Sequence, residues 1–96
     1  MDINELLQEK RQAILQIAAK HGVQNVRVFG SAARGETDEQ SDIDLLVDTT
    51  EQTSPWFPVG LIQELEDLLG RRVDVVTEEG IYWLLRRRIL KEARPL

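Results

Sequence analysis

The sequence predicts an α+β (α/β) fold, a small mixed β-sheet flanked by helices. Three observations predict it. Short β-branched segments lie at Val26–Phe29, Asp42–Val47 and Val73–Val76. Segments with apolar residues at helical spacing precede the first, separate the last two and follow the third. The chain has 96 residues, which suits one domain, residues 1–96, and a core of modest size. The predicted order is α-β-β-α-β-α.

Taken in order, residues 3–20 read as one helix, because Ile3, Leu6, Leu7, Ile14, Ile17 and Ala18 recur at roughly helical spacing. Asp2 and Glu5 have the spacing of a capping box, and Gly22 after His21 supplies a stop. Val26-Arg27-Val28-Phe29 is a strand. Gly30-Ser31 turns, residues 31–34 suit one helical turn, and the polar, acidic residues 35–41 read as a loop. Asp42 to Val47 is the second strand. Residues 49–58, with two prolines around Trp56 and Phe57, form a loop. Leu61, Ile62, Leu65, Leu68 and Leu69 mark an amphipathic helix that Gly70 ends. Val73-Asp74-Val75-Val76 is the third strand. Thr77-Glu78-Glu79-Gly80 turns into a last helix with Ile81, Leu84, Leu85 and Ile89 on one face, and Pro95 closes it.

Bulk properties narrow the function. The formal net charge is −5, so general binding to a nucleic-acid backbone is disfavoured, because phosphate contacts need clustered Lys and Arg. An acidic chain better suits a basic protein partner or a metal-loaded phosphate site. The absence of cysteine excludes disulfides and thiolate chemistry and argues against structural zinc. No apolar run is long enough for a bilayer and no signal-peptide pattern opens the chain, so a cytoplasmic location is expected.

Chemistry concentrates in one stretch. Asp42 and Asp44 are two residues apart at the head of a strand, so both side chains share one face. Two carboxylates about 4 Å apart repel by on the order of 4 kcal/mol at an effective dielectric near 20. Mg²⁺ offsets such repulsion, taking one or two carboxylates, several waters and substrate phosphate oxygens. Asp74 is the third candidate, a charge inside an otherwise apolar strand. If its strand neighbours that of Asp42 and Asp44, the three converge into a ligand set for one or two ions at a phosphoryl or nucleotidyl transfer centre. Gly30 lets backbone approach phosphate, the Ser31 hydroxyl can donate to a phosphate oxygen, and Arg34 can add a charge-assisted contact. Each element alone has an ordinary reading: a solvated Asp pair, a simple turn, an edge-strand charge, and an arginine paired with nearby acids. The combination is more specific, because spacing and element placement must agree.

Gly30-Ser31, ten residues, then Asp42-x-Asp44 resembles the signature of the nucleotidyltransferase superfamily that includes DNA polymerase β. The longer strings Phe29-Gly30-Ser31-Ala32-Ala33-Arg34-Gly35-Glu36 and Ser41-Asp42-Ile43-Asp44-Leu45-Leu46-Val47 look like those of the minimal nucleotidyltransferases, or MNT domains. The resemblance runs nearly the whole chain, through Asp74 to Ile89-Leu90-Lys91-Glu92-Ala93. It implies a palm-like mixed sheet, Asp42 and Asp44 as metal ligands, Asp74 as third catalytic and metal-binding carboxylate, and Gly30 and Ser31 on the triphosphate of ATP. It also implies an antitoxin that transfers AMP to a tyrosine of a cognate HEPN-domain toxin, with Mg²⁺, in a hetero-oligomer. The alternatives are an antitoxin that neutralises by binding alone and a nucleotidyltransferase of small molecules, whose extra helical domain a 96-residue chain lacks. A polymerase is disfavoured, with no thumb or basic template channel.

The remaining conspicuous residues have structural readings. His21 is expected to help end the first helix. Arg86-Arg87-Arg88 spread over about 200° of a helix and form no single patch. Trp56 and Phe57 either pack on the core or form an exposed contact surface, and Tyr82 and Trp83 are expected to be partly core. Glu36, Asp38 and Glu39 are expected to be solvated beside the site.

Overall fold

The structure is a computed structural model that describes residues 2–36 and 42–96. The expectations for Asp38, Glu39 and Ser41 therefore fall outside the described residues. Five helices and four strands follow in the order α1 (Ile3–Glu9), α2 (Arg11–Lys20), β1 (Val23–Phe29), α3 (Gly30–Arg34), β2 (Ile43–Thr49), α4 (Val59–Leu69), β3 (Val73–Thr77), α5 (Trp83–Glu92) and β4 (Arg94–Pro95). The strands form one mixed sheet ordered β3-β2-β1-β4. β1 runs antiparallel to β2 and β4, and β2 runs parallel to β3. The α+β class with a small mixed sheet is thus the one the sequence predicts.

The two faces of the sheet differ. Val26 and Val28, Ile43, Leu45 and Val47, and Val73 and Val75 are buried in one core with Ile3, Leu7, Ile14, Ala18, Leu61, Leu65 and Leu69 of the helices. By strand alternation, Arg27 and Phe29, Asp44, Leu46 and Asp48, and Asp74 and Val76 belong to the opposite face. No helix among the described residues is long and apolar enough to cross a membrane.

Several elements differ from the sequence reading, each for a local reason. The leading helix is two, relaxed at Lys10 (φ −96°, ψ 6°). Lys10 N–H still donates to Leu6 and Ile14 N–H to Lys10, at 3.0 and 2.9 Å, so the apolar stripe crosses the join unchanged. Asp2 caps α1 by accepting from Glu5 N–H at 2.8 Å. β1 starts at Val23 rather than Val26. Its pairing with β2 shifts register between Gln24 and Arg27, where Asn25 has φ 53°. That bulge puts two exposed residues in succession and hides the strand's alternation. β4 was not expected, because Pro95 reads as a stop; it is a sheet edge, where proline is tolerated.

The last helix corrects a second expectation. No residue of α5 is buried. Tyr82 and Trp83, expected to be partly core, are 60% and 72% exposed, and Leu84 and Leu85 are exposed with them. α5 packs against α3 rather than onto the core, whose helical side α1, α2 and α4 already supply. In the proline loop the two aromatics part: Phe57 packs against the core, while Trp56 is 77% exposed. His21 caps α2, its N–H donating to Ile17 and Ala18, and its buried ring brings Nε2 within 3.2 Å of Glu64 Oε1.

Candidate active site

The site forms where β1 ends and β2 and β3 begin. Phe29 pairs with Asp44 across the antiparallel ladder, and Asp44 pairs with Asp74 across the parallel one. Adjacent strands lie about 4.8 Å apart, so the Asp44 and Asp74 carboxylates rise from neighbouring positions on the face away from the core. Asp42 lies one residue before β2, two before Asp44. Its Oδ1 is 3.9 Å from Nε of the exposed Arg72.

Gly30 leads from β1 into α3 with φ 70°. A Cβ at this position would stand 2.5 Å from Asp44 Oδ2. Glycine is required here twice over, by the left-handed backbone and by the carboxylate against it. Ser31 follows in the first turn of α3.

The electrostatics reflect this crowding. Burial pushes the Asp44 carboxyl above its ordinary value, the nearby Asp74 and Asp42 charges push it further, and Arg34 pulls it back. Arg34 is engaged by acids. Its Nε donates to Glu36 Oε2 at 3.1 Å, and its Nη1 donates to both Glu92 oxygens at 3.0 Å. The hydrogen bonds to Glu36 and then Glu92 raise the Arg34 pKa further. Burial pushes the Glu92 carboxyl up, but hydrogen bonds from Arg88 and Arg34 outweigh it and hold it below its ordinary value.

The structure therefore brings Asp42, Asp44, Asp74, Gly30 and Arg34 together, with Ser31 beside them. It does not close the three carboxylates into a ready-made cage: among the described residues no group of three His, Cys, Asp or Glu is arranged to hold a metal ion. The donor set nonetheless fits Mg²⁺, which takes few protein carboxylates and completes its shell with water and phosphate. The like charges of the exposed Asp42 and Asp74 beside the half-buried Asp44 also favour a cation. Glu92 stands in the sequence only as part of the closing helix of the family resemblance, with no role at the site. It joins Arg34 over 58 residues, and no short-range pattern signals such a pair.

Comparison with known proteins shows the family and the fold. The model of the family described as "Nucleotidyltransferase domain" matches residues 9–96. The chain is 47% identical to "Putative protein adenylyltransferase MJ0435" of Methanocaldococcus jannaschii, over 97% of this chain and 96% of that one. It is 39% identical to the protein adenylyltransferase MntA of Thermococcus cleftensis, over 80% of this chain and 78% of that one. The solved structure of a "putative minimal nucleotidyltransferase" superposes with a TM-score of 0.86 at 49% identity, covering 100% of this chain and 97% of the other. A toxin–antitoxin crystal structure with AMP-PNP has the same fold, with a TM-score of 0.73 at 22% identity over 88% of this chain and 69% of that one. The chain belongs to the nucleotidyltransferase-domain family, as one of its minimal nucleotidyltransferases.

Proposed function

We propose that this chain, as a single domain over residues 1–96, transfers AMP from ATP to a tyrosine hydroxyl of a cognate HEPN-domain toxin. It acts as the antitoxin of the pair in the cytoplasm, as part of a hetero-oligomer and without direct nucleic-acid contact. The observation that carries the reaction is the in-register pairing of Asp44 with Asp74 beside Gly30. The names of the relatives support protein as the acceptor class, and the toxin–antitoxin neighbour holding AMP-PNP supports the nucleotide and the partner.

Gly30 and Ser31 hold the triphosphate through backbone N–H and hydroxyl donors, and Arg34, on leaving Glu36 and Glu92, neutralises part of its charge. Asp42 and Asp44 would hold Mg²⁺, with Asp74 completing the set. The ion, when bound, neutralises phosphate charge and lowers the pKa of the attacking hydroxyl. The tyrosine oxygen attacks the α-phosphorus, the α–β bridging P–O bond breaks and pyrophosphate departs. Asp74 aligns the hydroxyl and takes its proton. The gain comes mainly from positioning and charge stabilisation.

A second reading, neutralisation by stoichiometric contact, draws on the exposed Tyr82, Trp83 and Leu84 of α5. Intact-mass analysis of the toxin after incubation with this chain, ATP and Mg²⁺ separates the two. An AMP-sized addition that Asp44→Asn abolishes supports transfer. A stable complex without any addition supports contact alone.

A further inference from the structure

The sheet ends on β3, so the strand that carries Asp74 has an outer edge. A strand turns successive backbone groups to alternate sides. Ile43 N–H donates to Arg72 O at 2.9 Å, so Arg72, Asp74 and Val76 turn their backbone groups toward β2. Val73, Val75 and Thr77 turn theirs outward. Two of these are already engaged. Val73 N–H donates to Glu66 Oε2 at 3.0 Å, and Thr77 O accepts from Gly80 N–H at 3.1 Å. Between them Val75 presents an N–H and a C=O, neither hydrogen-bonded among the described residues. The opposite edge, β4, has two residues, one of them Pro95. β3 is thus the edge that offers a further strand a ladder.

The two engaged groups select one register. An extended segment running antiparallel pairs one residue with both groups of Val75. A slip of two residues would set that residue against Val73 or Thr77, where Glu66 or Gly80 already occupies a group. In the permitted register the next residue of the segment lies opposite Asp74, and opposite residues share one face. Asp74 is exposed, so that face is open to the incoming side chain. A tyrosine ring carries its hydroxyl over the Asp74 carboxylate, whereas a serine hydroxyl stays beside its own strand. The ends of the edge differ in charge: the exposed Arg72 precedes β3, and Glu78 and Glu79 follow it. We propose that the β3 edge receives the acceptor as an extended antiparallel segment, its tyrosine opposite Asp74, with basic residues before the tyrosine and acidic residues after it. The proposal rests on the nucleotidyltransferase reading given above and adds to it the acceptor's conformation and register.

The probe is the peptide Lys-Lys-Thr-Val-Tyr-Thr-Glu-Glu, whose valine is set against Val75. Its binding to the isotope-labelled full chain is followed first without ATP, by amide hydrogen exchange and NMR. Exchange of the Val75 amide should slow by about threefold at a peptide concentration of twice the Kd. An Hα–Hα NOE should join the peptide's tyrosine to Asp74, as in a non-hydrogen-bonded pair about 4.5 Å apart. ATP and Mg²⁺ are then added and AMP transfer is read by mass. Methylating the peptide's valine N–H, the donor to Val75 O, should lower transfer roughly tenfold, the scale of one lost hydrogen bond. Methylating the tyrosine N–H, which points away from β3, should leave transfer unchanged. Unchanged Val75 exchange overturns the proposal, as does an equal loss from the two methylations. Another peptide residue opposite Asp74 overturns the register. AMP transfer to the cognate toxin, with neither binding of the peptide nor transfer to it, overturns the edge proposal and leaves the nucleotidyltransferase reading standing. No transfer to toxin or peptide overturns both.

Discussion

Asp44 stands directly opposite Asp74 in the parallel pair of β2 and β3, and opposite Phe29 in the antiparallel pair on its other side. One residue thus joins the end of β1, where Gly30 turns, to the start of β3. The like charges set against it carry a stability penalty in the absence of a cation.

In metal-free buffer, Asp44→Asn should raise stability by up to about 1 kcal/mol after solvent screening, or about 4–8 °C in Tm for a domain of this size. A thermal melt with chelator checks this. Mg²⁺ at ten times its Kd should stabilise the wild type by about 1.4 kcal/mol and the variant by much less. A wild type indifferent to Mg²⁺ counts against the carboxylate assignment.

Gly30→Ala places a methyl group 2.5 Å from Asp44 Oδ2 and forces alanine into a φ of 70°. The backbone alone costs about 1–2 kcal/mol. Destabilisation of at least that size, with transfer lost, is expected from denaturant titration and a turnover assay.

Exposure separates two apolar residues of the sheet and the last helix. Leu46 is fully buried, so Leu46→Ala should cost about 2–5 kcal/mol. Trp83 is largely exposed, so Trp83→Ala should cost less than about 0.5 kcal/mol. Urea midpoints of the two variants measure the contrast.

The acid limb of stability follows from depressed carboxyls. A hydrogen bond from Lys20 holds Glu64 below its ordinary 4.5, against some burial and with help from His21. Glu92 is held below 4.5 as well: burial raises it, but hydrogen bonds from Arg88 and Arg34 prevail. In both cases the folded state binds fewer protons than the unfolded one as pH falls through this range. Their contribution is therefore present above about pH 4.5 and is lost below it. Asp44 has the opposite sign, its raised pKa making its contribution fall as pH rises past its ordinary 3.8. Glu64→Gln and Glu92→Gln should each flatten the loss of stability below pH 4.5, seen in melts across that range.

Much of this was legible in the sequence because it is local. Gly30-Ser31 and Asp42-x-Asp44 carry their meaning within a few residues, and the stripe Leu61, Leu65, Leu69 announces α4 and its buried face. The unreadable parts depend on distant partners. That Asp44 meets Asp74 rather than Val73 or Val75 is a matter of strand register, which neither segment states alone. The apolar residues of α5 have helical spacing, but spacing does not say what covers a face, and here α1, α2 and α4 cover the core first. The bulge at Asn25 hides the start of β1 by breaking its alternation, and Pro95 hides β4.

The most direct test is intact-mass spectrometry of the cognate toxin after incubation with this chain, ATP and Mg²⁺, beside the Asp42→Asn/Asp44→Asn double variant. The proposed chemistry predicts one or more AMP-sized additions on tyrosine that disappear with the variant. Full modification by the variant, or no modification by the wild type in a stable complex, would contradict it.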